Sequence, residues 1–232
     1  MTATIDPIAT LHPSTDVDPT TRRRWPLLGA VAGVAALAAA FIGMPADLTE
    51  EDWSAGPEVV DVLNRGNYHI AFLVGLVSVG ALLLASTGWK RWAERRAPDD
   101  IAARTIGPAL ASTAAINIIG YCLMGSMALY MPGGVDEGWL SREAMFVNFT
   151  YLDFGVLLGW WATVLAAGCV AALAFRSDRL LPRWMGVVSV IFMLPPVLMA
   201  IGMALPGMPG FTMPLWLTII SIGMVRSRIA RP

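Results

Sequence analysis

From Val147 to Phe175 the chain runs for 29 residues with a single formal charge, Asp153. At about 1.5 Å of rise per residue such a run reaches roughly 43 Å as a helix, more than the roughly 30 Å of a bilayer's hydrocarbon core. Backbone N–H and C=O groups find no water in hydrocarbon, so a stretch of this length must satisfy them internally and is read as a helix. Its excess length lets the polar first turns, with Asn148, Tyr151 and Asp153, lie near one interface.

Five further apolar runs share this character: Pro26 to Met44, Tyr68 to Gly88, Thr105 to Met131, Trp184 to Leu205 and Met213 to Val225. Composition agrees, with 56% hydrophobic and 14% charged residues and a mean hydropathy of +0.62, against about 25% charged residues in ordinary soluble domains. Residues 1–24 are polar, are interrupted by Pro7, Pro13 and Pro19, and read as a disordered cytoplasmic tail. The run after Arg22, Arg23 and Arg24 is too long for a signal-peptide core and is taken as an uncleaved first span. The expected fold class is all-α: a polytopic membrane protein built as a six-transmembrane-helix bundle over residues 25–228.

Orientation follows from charge. The tail and the connectors Trp89 to Arg104, Arg176 to Arg183 and Arg226 to Pro232 hold 14 of the 16 basic residues, leaving Arg65 and Arg142 for the other side. The positive-inside rule then puts both termini in the cytoplasm. The outward segments, Pro45 to Asn67 and Pro132 to Phe146, carry nine acidic residues. Trp25, Trp89, Trp92 and Trp184 are expected as anchors at the cytoplasmic interface, with Trp53 and Trp139 outside.

Asp153 stands near the outer edge of its span, where an ionisable side chain is costly and commonly faces a bundle interior. His69 begins the second span at the same outer depth. Together they could form an outer-leaflet ligand pocket with Asn148, Tyr151, Asn117 and Tyr121. The alternative for Asp153 is an interfacial carboxylate paired with Arg65, Arg142 or a backbone donor near the helix start. Asn117 and Tyr121, spaced i, i+4, share one helix face and either line a polar pocket or hold helices together. His69 is the only histidine in any span, which excludes a bis-histidine haem within the chain.

The remaining motifs point to packing. Gly29 with Gly33 and Gly155 with Gly159 make G-x-x-x-G spacings, through which another membrane protein or a second copy could dock. Met124, Met127 and Met131 share a face, and with Met199, Met203, Met208 and Met213 they read as packing rather than a copper site. Pro195 and Pro196 should kink the fifth span. Cys122 and Cys169 lie at different depths, too far apart for a disulfide. No span lysine for retinal, H-E-x-x-H, C-x-x-C, G-x-S-x-G or phosphate loop is present. No cofactor, metal or nucleic-acid partner is expected.

The connector Arg176-Ser177-Asp178-Arg179-Leu180-Leu181-Pro182-Arg183-Trp184-Met185-Gly186 resembles the L-P-R-W-h-G connection of uncharacterised six-helix bacterial membrane proteins, particularly actinobacterial ones. The likeness is topological: it implies six helices and brings no reaction or catalytic residue. The expected function is a non-catalytic membrane component that binds an apolar ligand or a partner membrane protein. A small-solute or proton-coupled transporter using Asp153 and His69 is the alternative, and a membrane-embedded enzyme the third reading.

Overall fold

A computed structural model of the chain describes residues 24–45 and 48–227, except for the side chains of Asp153, Phe154 and Gly155. The expected tail at 1–24 therefore lies, but for Arg24, outside the described residues. In chain order the elements are α1 (Pro26–Gly43), α2 (Glu50–Ser54), a 3-10 turn (Gly56–Val62), α3 (Arg65–Arg96), α4 (Ile101–Tyr130), α5 (Arg142–Leu158), α6 (Trp161–Phe175), α7 (Arg183–Met203) and α8 (Pro209–Arg226). No strand occurs among the described residues. Five stretches are long and apolar enough to cross a membrane: α1, α3, α4, the run Arg142–Phe175 and α7. The helix over the last expected span, α8, has 18 residues, includes Pro209 and Pro214, and is not one of those five.

Local chemistry sets the helix starts. Asn64, Asp100 and Ser141 each accept a backbone N–H three residues on, from Asn67, Ala103 and Ala144 at 3.3, 2.9 and 3.3 Å, satisfying donors that an N-terminus leaves orphaned. Pro26 and Pro209 occupy first helical positions, where no N–H is needed. At α4 the Ala103 amide holds the Asp100 carboxyl below the usual carboxylate range, helped by an ion pair with Arg176. That pair ties the start of α4 to the end of α6.

The run from Val147 to Phe175, expected as one helix, is interrupted at Gly159 and Trp160. Glycine contributes little to helix stability, and both flanking rings are fixed elsewhere. Trp160 is buried to 1% exposure, while Trp161 Nε1 donates to the Pro206 carbonyl, between α7 and α8, at 2.9 Å. By contrast α7 stays helical through Pro195 and Pro196 and ends at Ala204 with φ +52°. Leu205 N–H reaches the Met199 carbonyl at 3.2 Å, satisfying one of the acceptors that a helix end leaves orphaned.

Neighbouring helices close a ring in the order α1, α3, α4, α6, α7, α8 and back to α1, with α5 against α4. Small residues set the closest approaches. A Cβ on Gly29 would run into the Ser221 side chain, and one on Gly33 into the Pro214 carbonyl and Thr218 Oγ1. The first G-x-x-x-G pair is thus filled by α8 of the same chain and is not a docking face for a partner. Of the second pair, Gly159 is buried and Gly155 falls outside the described side chains.

Two ends of the bundle differ in chemistry. At the basic end Trp25 covers Gly88 and stands edge-on to Trp89 at 5.9 Å, and Trp89 meets Trp92 edge-on at 5.4 Å. Trp89 and Trp92 are only 2% and 7% exposed. They are core residues rather than the interfacial anchors their position suggested, because the i, i+3 face they share is covered by neighbouring helices. Trp184 lies over Gly223, which brings the start of α7 beside the end of α8.

At the acidic end residues 48–64 fold back as a cap. Val59 and Val60 are buried, Trp53 stacks on Phe149 at 5.7 Å, and Arg142 pairs with Asp61 at 2.7 Å. Thr49 and Asp52 bond reciprocally, a capping box for α2 that holds the Asp52 carboxyl below its ordinary range.

The α1/α8 contact yields a direct expectation. Gly33→Ala places a methyl against backbone that cannot rotate away, so it should cost about 1–3 kcal/mol, as overpacking does. Thermal unfolding in detergent measures this, and an unchanged transition would show that α1 does not sit so close to α8.

Candidate functional site

Two places in the bundle gather chemistry. The first is a groove of about 410 Å³ on the α3/α4 face at the acidic end, lined by Arg65, His69 and Phe72 from α3, by Cys122, Gly125, Ala128 and Leu129 from α4, and by Val135. The spacing on α3 puts Arg65, His69 and Phe72 on one side of that helix, since residues four and seven apart share a face. Arg65 Nη1 donates to the Ala128 carbonyl at 3.1 Å. A guanidinium at a helix C-terminus meets both unsatisfied carbonyls and the negative end of the helix dipole. It has five N–H donors, so most of its hydrogen-bonding capacity is left for a ligand. Gly125 sits under Phe72, its absent Cβ 3.2 Å from the ring. His69 and the free thiol of Cys122 are both exposed in this groove.

The second place is the centre of the bundle. Thr113, Asn117 and Tyr121 fall at i, i+4 and i+8 on α4, and all three are 0% exposed. Thr113 Oγ1 meets Thr163 Oγ1 of α6 at 2.7 Å. The Tyr121 ring lies directly over Gly75 of α3, where any side chain would collide with it. Its hydroxyl turns toward Ser78 without making a hydrogen bond of normal geometry, and Ser78 Oγ donates to the Ala32 carbonyl of α1 at 2.8 Å. Hydroxyls and an amide from three helices, with a backbone carbonyl of a fourth, therefore meet where the surroundings are otherwise aliphatic. In hydrocarbon each such interhelical hydrogen bond contributes about 0.6 to 2 kcal/mol.

Against the outer-leaflet pocket expected from the sequence, Asn117 and Tyr121 are neighbours, but in the core. His69 is in the α3/α4 groove. Asn148 Nδ2 donates to Ser126 Oγ at 3.1 Å, a bond that ties α5 to α4. Tyr151 is 59% exposed. Asp153 belongs to α5, and its side chain lies outside the described residues. The two arginines considered for it make contacts elsewhere, Arg65 with Ala128 and Arg142 with Asp61.

Ser78, Thr113 and Thr163 were not singled out from the sequence. A hydroxyl four residues before Asn117 was the available signal for Thr113, whereas Ser78 and Thr163 depend on which helices pack together. A small second cavity of about 20 Å³, lined by Gly43, Tyr68, Met124, Phe149 and Leu152 among others, lies between the end of α1 and helices α3, α4 and α5. That is room for about one water.

No family of known proteins matches the chain, and no curated protein or solved structure matches it.

Two glycines of α3 offer a paired test of the central contact. Gly75→Ala must displace the Tyr121 ring and should lower stability by about 1–3 kcal/mol, whereas Gly80, with nothing within 4 Å of an added Cβ, should tolerate alanine or gain up to about 1 kcal/mol from helix propensity. Equal effects in a thermal-shift comparison would argue against the Gly75/Tyr121 contact.

Proposed function

We propose that the chain is a non-catalytic membrane component that holds an amphipathic ligand of phospholipid type in the α3/α4 groove. The observation that carries this reading is the groove's division of labour. Phe72, Ala128, Leu129 and Val135 supply apolar wall, and Arg65 with His69 supplies cationic and hydrogen-bonding capacity for an anionic head at the end toward the cap. Ligand sites are characteristically apolar with a few convergent polar groups. Arginine suits phosphate because its planar donors can bind two oxygens at once.

The transport alternative rests on Asp153 and His69. His69 opens onto the groove rather than onto the central polar cluster, which favours binding over passage through the bundle. For an enzyme, the described residues include no group of three or more histidine, cysteine or acidic side chains placed to hold a metal, and the groove's own nucleophile, Cys122, has no base among the groove's lining residues other than His69.

The test is native mass spectrometry of protein extracted with its lipids, comparing the wild type with Gly125→Leu, which fills the groove beside Phe72, and with Arg65→Gln. Retained phospholipid should fall about tenfold or more in both. Equal retention in all three proteins would sink the proposal.

The same reading includes six crossings, with α8 as the sixth and both termini in the cytoplasm of a bacterial inner membrane. The pairing of Trp184 with Gly223, of Trp25 with Gly88 and of Arg176 with Asp100 supports it. These contacts gather Arg183, Arg226 and the basic end of α3 at one end of the bundle, as an even number of crossings requires. At about 1.5 Å per residue the 18 residues of α8 reach roughly 27 Å, close to the hydrocarbon thickness. In a Cys122→Ser background, a membrane-impermeant thiol reagent applied to intact cells should modify a cysteine placed at Trp139 and spare one placed at Ile101, both of them strongly exposed positions; the reverse pattern would overturn the orientation.

A further inference from the structure

We infer that Ser78, Asn117 and Tyr121 form a site for ordered water in the middle of the bundle, independent of the ligand groove. Asn117 is 0% exposed, and among the described residues neither its amide nitrogen nor its amide oxygen has a hydrogen-bond partner; the Tyr121 hydroxyl is equally buried and likewise unpartnered. Leaving such groups unpaired costs on the order of 1–3 kcal/mol each, and buried polar groups in native proteins are almost always paired with protein or water.

The groups converge. Antiparallel packing of α3 on α4 is fixed by Arg65 against Ala128, by Gly75 against Tyr121 and by Gly107 against Ser86. That register sets Ser78 level with Asn117. Tyr121, one turn further toward the acidic end, points its hydroxyl back toward Ser78. Ser78 spends its proton on the Ala32 carbonyl and keeps its oxygen lone pairs. On the other side of Asn117, Thr113 is already satisfied by Ala109 and Thr163. The unmet capacity is therefore concentrated between Ser78, Asn117 and Tyr121: two amide protons, an amide oxygen, a phenol and a serine acceptor.

The chemistry selects the occupant. The three side chains are neutral at physiological pH and offer both donors and acceptors. A metal cation would lack oxygen ligands enough to replace its hydration shell, and an anion would lack a balancing charge. Water donates and accepts at once, and buried waters typically make about three bonds. One or two waters here would bridge α3 to α4 and, through the Ser78 to Ala32 bond, to α1.

X-ray hydroxyl-radical footprinting of the full-length protein in detergent reads this directly, because radicals form from water beside the residue that they modify. Tyr121 should be modified several-fold faster than Trp216, which is equally buried but has its Nε1 paired with Ser189 at 2.9 Å. Asn117→Leu should abolish Tyr121 modification while Trp216 stays protected. Tyr121 as unreactive as Trp216 in the wild type would overturn the inference, and that comparison stands even where the variant fails to fold. Undiminished Tyr121 modification in a variant that keeps Trp216 protected would overturn it too.

Discussion

Gly29 and Gly33 bring α1 so near α8 that no side chain fits between them, and this contact turns a row of apolar helices into a closed ring. In lipid the hydrophobic effect does not press helices together, since acyl chains are as apolar as leucine. What remains is dispersion at close approach and a small number of hydrogen bonds. Glycine serves the first by removing the Cβ, as at Gly75 under Tyr121, Gly88 under Trp25, Gly186 against Ala174 and Phe175, and Gly223 under Trp184. All four examples pair a glycine with an aromatic ring, so a small residue on one helix lets a bulky one from the next lie close against it; Tyr121 is buried in this way, while Trp184 and Phe175 stay partly exposed.

The hydrogen bonds are distributed differently. Ser78 to Ala32, Thr113 to Thr163, Asn148 to Ser126 and Trp216 to Ser189 each join a different pair of helices. Each is modest, about 0.6 to 2 kcal/mol, yet each is directional, and four together restrict rotation of the helices about their axes in a way that apolar contact does not. A ring built this way has a tightly specified inside and a permissive outside. The leucines and valines that face outward, such as Leu83, Leu84 and Leu198, need only be apolar.

Polar chemistry divides along the same lines. The α3/α4 groove lies at the acidic end of the bundle, where Arg65 and His69 from the start of α3 meet the last turns of α4. The central cluster is fully buried among the helices. The acidic cap covers the end of the ring next to the groove, packed by Val59, Val60 and the Trp53 stack on Phe149. Residues of opposite charge, Arg142 and Asp61, fix the cap to α5.

Length and apolarity alone determined the long helices, because a stretch such as Thr105 to Met131 has no other way to satisfy its backbone in hydrocarbon. The small spacing Gly29, Gly33 was legible as a packing face, while its occupant was not: only the ring order shows that α8 fills it. Trp89 and Trp92 looked like interfacial anchors because sequence gives depth and not azimuth, and it is azimuth, set by neighbouring helices, that buries them. The interruption at Gly159 and Trp160 depends on an indole bonding to Pro206, 45 residues away in sequence. The same limit separated Asn117 and Tyr121 from His69 and Asn148, which lie on other helix faces. Periodicity assigns residues to one helix face, but which face meets which is decided by the packing of whole helices, and that is a tertiary property.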